Sequence, residues 1–358
     1  MHEDRKVKIA RSVFPVTSKL AYLSTGSFGP LSTIVVEALQ GALSEDLHRG
    51  RAYPQRHEAA VLAKERVRAL LAQLLNASPS EIVLTQNTTD ALRTVIEQLP
   101  WEDGDEAVCT QLEHEACTGP LQDLVARGQI ALRVADAPPA ADGVEWLEPH
   151  LTPRTRLVAF SAVAFKTGAR MPIERIVNLA RDRGAYTLLD AAQAAGSIPL
   201  DLAKLGVDFC AMPMQKWLCG PEGLGALYAR SGAPSVARGD LVVRDTGVFQ
   251  AAARQLEWMA RELGWPWIHA RTTALAAYAR RALGDLPGVT LITPDAHGGL
   301  VTLSFERADP RVVAENLRRR GFVFRHIEEM GALRISTAFF NFEKEIDRFA
   351  IALRELLR

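Results

Sequence analysis

GAYTLLDAAQAAGSIPLDLAKLGVDFCAMPMQKWLCGPEGLGALYAR, residues 184–230, is the stretch whose reading decides the fold. Tyr186-Thr187-Leu188-Leu189 is a short apolar run ending in Asp190, the pattern of a buried strand that delivers a carboxylate at its carboxyl end. Gln193 follows one turn later. A second apolar run, 207–214, reads as another buried strand and ends in Gln215 and Lys216 before the breaker Gly220-Pro221. Two polar tips therefore fall at adjacent strand ends. Open α/β sheets bind ligands at that edge, so an acid and a lysine meeting there predict a site.

A lysine able to form a Schiff base and a carboxylate able to keep a pyridine nitrogen protonated suit catalysis with pyridoxal 5'-phosphate (PLP). A lone lysine before Gly-Pro is usually a solvated turn residue; the pattern around this one is what separates the two readings. Asp190, two residues, Gln193, a strand, Lys216 and then GPEGLGALY together resemble the class V branch of fold-type I PLP enzymes. That branch includes cysteine desulfurases, cysteine/cystine C–S lyases and isopenicillin N epimerase. The resemblance implies an α/β fold of the fold-type I PLP-dependent transferases: a mostly parallel seven-stranded sheet flanked by helices, with a smaller α+β C-terminal domain. It makes Lys216 the Schiff-base lysine, Asp190 the partner of the ring nitrogen, and Gln193 and Gln215 cofactor contacts. One departure stands out. Many relatives read Ser-x-His-Lys where this chain has Pro213, Met214, Gln215 and Lys216, and Pro213 offers neither hydroxyl nor N–H to a phosphate.

Upstream, AYLSTGSFGPLS (21–32) is a short strand and a glycine-rich turn before a helix starting near Ser32. The family carries a similar element on the substrate side, which nominates Gly26 and Ser27; a plain turn is the alternative. The basic, aromatic segment RGRAYPQRH (49–57) reads as a surface or subunit contact, with Arg51 and Tyr53 as conceivable substrate contacts. A packing helix spans 58–75, and IVLTQNTTDALRTVI reads strand, turn, helix. Its turn, Asn87-Thr88-Thr89-Asp90, presents hydroxyls and free amides at a helix N-terminus, which serves equally as an ordinary cap or as a phosphate cradle. The resemblance implies the cradle, with Thr88 and Thr89 on the phosphate. After a strand at 106–110, Glu113-His114-Glu115-Ala116 resembles the family's Glu-His-x-Ala, whose imidazole stacks on the cofactor ring and assists proton transfer; this places His114 there. Strands follow at 130–136 and through LVAFSAVAF, after a Pro/Ala/Gly loop at 137–143. Ser161 and Thr167-Gly168 match a further family element, with Lys166-Thr167-Gly168 as a substrate-facing loop.

Downstream of Tyr228 the linker 231–240 is short for the family, and Thr246-Gly247 is a weak counterpart of a Gly-Thr element lent to a neighbouring subunit's phosphate; a plain loop is the favoured reading. Residues 249–283 read as two helices broken at Gly264-Trp265-Pro266. Strands at 300–305 and 322–326, a helix at 310–320 and a last strand from Leu333 complete the chain before a final helix. Arg334 on a strand is costly to bury unpaired; a substrate carboxylate or an acidic side chain would satisfy it. LRISTAFFNFEKEID resembles the family segment in which that arginine clamps the substrate carboxylate. The expected division is an N-terminal arm 1–30, a large PLP-binding α/β domain 31–250, connecting helices 251–283 and a small α+β domain 284–358.

Lysine and arginine (42) balance aspartate and glutamate (42), so no global field argues for nucleic acid or an anionic membrane as partner. No apolar run reaches spanning length and MHEDRKVK lacks a signal-peptide core, which predicts a cytoplasmic protein. Cys109, Cys117, Cys210 and Cys219 form no CxxC pair and no metal-ligand spacing, so no metal is expected. No cysteine follows Cys219. Cysteine desulfurases carry a persulfide-forming cysteine in their C-terminal part, so that mechanism is disfavoured. The expectation is a PLP-dependent C–S lyase acting by β-elimination on cysteine, cystine or a related S-substituted cysteine, releasing pyruvate and ammonia. A class V aminotransferase or amino-acid epimerase is the alternative, with a catalytically silent PLP-fold protein behind it; an amino acid is the expected partner and a homodimer the expected assembly. A Rossmann dinucleotide binder is disfavoured, because no G-x-G-x-x-G follows an early strand.

Overall fold

In the computed structural model the described residues are 2–138, 142–236 and 246–357. Parts of the expected loop at 137–143 and linker at 231–240 lie outside them. The strands are β1 (Ala21–Tyr22), β2 (Ile82–Thr85), β3 (Glu106–Thr110), β4 (Ala131–Ala135), β5 (Thr155–Ser161), β6 (Tyr186–Asp190), β7 (Phe209–Pro213), β8 (Gly225–Ala229), β9 (Val289–Leu291), β10 (Leu300–Phe305), β11 (Phe322–Val323), β12 (Arg325–Ile327) and β13 (Ala332–Ser336). Seven of them form one sheet in the order β2-β8-β7-β6-β5-β3-β4, in which β8 alone runs antiparallel to its neighbours. The expected mostly parallel seven-stranded sheet is present. Strands β3, β6 and β7 read as continuous apolar runs rather than alternating ones because helices cover both faces of the sheet.

The register β6 to β7 sets Asp190 opposite Ala211, and β5 to β6 sets Ser161 opposite Asp190, so the polar tips of three strands share one edge. A separate antiparallel sheet, β12-β13-β10-β9, packs on the helices Trp265–Gly284, Pro310–Arg319 and Glu343–Leu356 around its own apolar cluster. β1 and β11 form a separate two-stranded parallel sheet, and Ala21 and Phe322 join the same apolar cluster.

The N-terminal arm carries a helix, His2–Ser12, and Ala10 and Phe14 enter the large core. Two local expectations change. The stretch 322–326 divides into β11 and β12, which join different sheets. Thr246-Gly247 opens the helix Thr246–Trp258 rather than lying in a loop; the alanine-rich run that follows propagates a helix readily. The expected break at Gly264 holds, with φ +80 there between a π-turn, Met259–Leu263, and the next helix.

Candidate active site

The carboxyl edge of the large sheet collects side chains far apart in sequence. Asp190 ends β6, Ser161 ends β5, Gln215 and Lys216 follow β7, His114 follows β3, and Asn87 caps the helix Thr88–Gln98 after β2. They enclose a cavity of about 250 Å3 whose walls include Thr88, Thr89, His114, Asp190, Gln193, Gln215 and Lys216. Asn87 secures the mouth of its helix by accepting the Asp90 N–H through Oδ1 at 2.9 Å, leaving the first-turn amides toward the cavity edge. Gly225 on β8 makes this turn possible, since a Cβ there would meet Asn87 Cα at 2.8 Å.

Burial governs the charges. Asp190 is buried and its pKa is raised by desolvation, opposed by an Ala192 N–H donated to Oδ1 at 2.7 Å and by the charges of Lys216 and His114. Lys216 is pushed the other way: burial lowers its pKa, and the Asp190 carboxylate opposes that shift. The two groups thus lie in one low-dielectric pocket, where each opposes the shift that burial imposes on the other. His114 caps the helix Glu115–Ala126 by accepting the Ala116 N–H at Nδ1, 3.0 Å, which leaves the ring proton of the neutral imidazole on Nε2. Burial and then Lys216 lower its pKa, and Phe165 lies edge-on to its ring at 4.8 Å. Below it Glu113 is buried, its carboxyl accepting from Thr110 Oγ1 and Ser161 Oγ at 2.6 Å each, and desolvation raises its pKa to about 7.

A second chamber of about 240 Å3 shares Lys216, His114, Gln193, Gln215 and Phe165 with the first and adds Gly26, Ser27, Arg325, Glu329 and Arg334. Arg334 on β13 is 4 % exposed. Its guanidinium donates to the Phe165 carbonyl and to Ser27 Oγ at 3.1 Å, while Nε has no partner. No carboxylate lies within ion-pair distance of it among the described residues, and burial pushes its pKa down from 12.5 to about 10. A buried cation held only by neutral oxygens favours an anionic ligand. Gly26 is required by packing: a Cβ would meet Leu300 Cδ2 at 2.6 Å and Gln193 Oε1 at 2.8 Å.

Gly26, Ser27, Thr88, Thr89, His114, Asp190, Gln193, Gln215, Lys216 and Arg334 each line one or both chambers. Other nominations land elsewhere. Arg51 is exposed and pairs with Asp46 at 3.5 Å, and neither it nor Tyr53 lines these chambers. The loop after β5 meets the site through Phe165, whereas Gly168 packs on Leu300 and Lys166 pairs with Glu329 at 3.2 Å. Pro213 lies outside the lining, so its missing N–H is not withdrawn from the chamber. Sequence reasoning gave no role to Arg325, set opposite Arg334 in the β12–β13 register, or to Trp217, which donates to Gln193. The only signal for Arg325 was an arginine in a strand-like run.

The residues present suit PLP. Thr88 Oγ1 and Gln215 Oε1 are buried on the cavity wall without partners, a helix N-terminus adjoins the same wall, and a buried acid and a buried lysine line the same cavity. The description Aminotransferase class-V matches residues 27–239. The chain is 32% identical to isopenicillin N epimerase of Streptomyces clavuligerus, over 93% of this chain and 94% of that protein. It is 31% identical to a probable cysteine desulfurase of Pseudomonas aeruginosa, over 97% and 98%. Among solved structures, the cystine C–S lyase C-DES in complex with its reaction product cysteine persulfide superposes with a TM-score of 0.90 at 25% identity, over 96% of this chain and 99% of that one. With the sheet, the lysine and the acid in these positions, the chain belongs to the class V aminotransferase family and is a PLP-dependent enzyme of fold type I.

Proposed function

We propose that the protein is a C–S lyase that cleaves cystine or a related S-substituted cysteine by β-elimination. PLP, when bound, supplies an electrophilic aldehyde and a sink for the electrons left at Cα. Thr88, Thr89 and the adjoining helix N-terminus hold its phosphate, and Asp190 holds a proton on the ring nitrogen. Arg334 grips the substrate α-carboxylate with Ser27 behind it, which orients the Cα–H bond toward Lys216. Lys216, its basicity lowered by burial, takes the Cα proton as an amine. His114, neutral and carrying its proton on Nε2, closes the site beside Phe165 and excludes water. The Cβ–S bond then breaks, the sulfur leaves with the bonding pair and gains a proton, and water releases pyruvate and ammonia. Cystine and one water thus give pyruvate, ammonia and cysteine persulfide.

The observation that carries the lyase reading is the placement of the thiols. All four cysteines are buried away from both chambers, and burial raises every one, Cys109 to about 12, so none offers the exposed thiolate that a persulfide relay needs. Exposed Arg325, with Glu329 and Lys166 beside it at the chamber mouth, favours a substrate carrying a second charged end, as cystine does. The likeness to an epimerase sustains the alternative in which Cα is simply reprotonated. The deciding experiment gives PLP-loaded protein L-cystine and L-cysteine in deuterated water and measures pyruvate. Pyruvate from cystine, abolished in Lys216→Ala, is the expected result; deuterium at Cα without pyruvate would make it an epimerase, and accumulation of pyridoxamine phosphate an aminotransferase.

The same reading includes a homodimer. Leu43, Leu47, Val61 and Leu62 are exposed on the helices Thr33–Arg49 and Pro54–Leu75, both of which pack on the helix Thr246–Trp258, and Phe28 and Leu31 are exposed near the substrate loop.

A further inference from the structure

The indole of Trp217, the residue after Lys216, is buried, and its one polar atom is committed: Nε1–H donates to Gln193 Oε1 at 3.0 Å. On the other side of the same amide, Gln193 Nε2 donates to the carbonyl of Gly26 at 2.8 Å. These partners leave no choice of amide orientation. An indole N–H can only donate and a backbone carbonyl can only accept, so the oxygen of Gln193 must face Trp217 and the nitrogen must face Gly26. Nε2 carries two protons and Gly26 takes one. Gln193 lines both chambers, and with one proton taken by Gly26 its remaining N–H is the donor it has to offer there.

The surrounding fold is shaped to hold the indole in this place. Gly299, just before β10, leaves the space its six-membered ring occupies, since a Cβ there would collide with Trp217 Cη2 and then with Thr272 Cγ2 at 3.0 Å. Gly196, at φ +88, lets its chain pass the Trp217 carbonyl carbon, where a Cβ would approach to 3.2 Å. Gly299 is itself anchored, its carbonyl accepting the Thr337 N–H at 3.0 Å. We propose that Trp217 is a positioning residue that locks the Gln193 amide so that a hydrogen-bond donor, and not the carbonyl oxygen, faces the cofactor. This rests on the proposed contact of Gln193 with PLP. A fixed donor stabilises the ionised ring oxygen and weakens that oxygen's hold on the proton it shares with the lysine nitrogen.

The test is the pH midpoint of the visible absorbance of PLP-loaded protein. Trp217→Phe keeps an aromatic ring but removes the N–H together with part of the buried indole; Gln193→Ala removes the donor itself. Both variants are expected to move the midpoint upward by about half a pH unit or more, the scale of one neutral hydrogen bond, with PLP still bound one per chain. A loss of packing alone would lower the melting temperature and leave the midpoint where it was. A midpoint moved by Gln193→Ala and unmoved by Trp217→Phe overturns the positioning role. A midpoint moved by neither overturns the Gln193 contact on which it stands, while leaving the pyruvate assay untouched. Should Trp217→Phe not fold, proton exchange of the Trp217 indole in selectively labelled protein decides: the proposal requires slow exchange that Gln193→Ala accelerates at least tenfold, and equal exchange rejects it.

Discussion

At the scale of single residues the site is built from charges that water does not reach. Glu113 is the clearest case, a carboxyl held by Thr110 and Ser161 under the cofactor cavity, within the influence of Asp190. Its pKa rises from 4.5 to about 7 on folding, so the folded state keeps a proton that the unfolded chain has lost. The stability this contributes is complete below pH 4.5 and disappears as pH climbs toward 7, a change on the order of 3 kcal/mol. Glu113→Gln keeps the shape and removes the titration. Urea unfolding of cofactor-free protein should therefore show the variant gaining on wild type between pH 5 and pH 8; a constant difference across that range would refute the assignment. From sequence, Glu113 was one letter in a polar cluster. Its burial comes from the neighbouring strands β3 and β5, and no local pattern announces it.

At the scale of elements, the loop 24–30 joins Arg334, the proposed substrate clamp, to the segment that carries Lys216. Ser27 accepts from Arg334, and the Gly29 N–H donates to the Gln215 carbonyl at 2.7 Å, the residue before Lys216. Gly29 has no room for a side chain: a Cβ would strike the Lys216 carbonyl oxygen, with Cys219 Sγ at 3.0 Å behind it. Gly29→Ala must displace backbone on one side or the other. A loss of about 2 kcal/mol or more in unfolding free energy is expected, with weaker PLP retention on dialysis; a variant as stable as wild type would show that the loop yields freely. The glycines of this loop were visible in the sequence as a turn, and only the fold reveals that one of them is pressed against the lysine backbone. The helix opening at Thr246 was misread because a threonine and a glycine look like loop residues until the alanine-rich helix after them packs on Thr33–Arg49 and Pro54–Leu75.

At the scale of the whole molecule, the exposed leucines of those two helices predict an assembly. Leu47→Glu combined with Leu62→Glu should turn a sedimenting dimer into a monomer while the far-ultraviolet dichroism stays unchanged; wild type sedimenting as a monomer would remove the homodimer from the proposed function. The division of labour between chain and fold follows from the range of the forces. Buried parallel strands must be apolar along their length, and a polar residue at the end of such a run has few places to go, so the sequence by itself determined β6, β7 and the edge at which Asp190 and Lys216 meet. Local chemistry also set the Asn87 cap and the break at Gly264. What only the tertiary structure decided was pairing between distant segments: Ser27 with Arg334, Arg325 across from Arg334, Trp217 with Gln193 and Gln193 with Gly26. Those contacts depend on how separate elements come together and on glycines whose neighbours lie tens or hundreds of residues away, and no periodicity in the chain encodes which distant residue will fill the space that a missing side chain leaves.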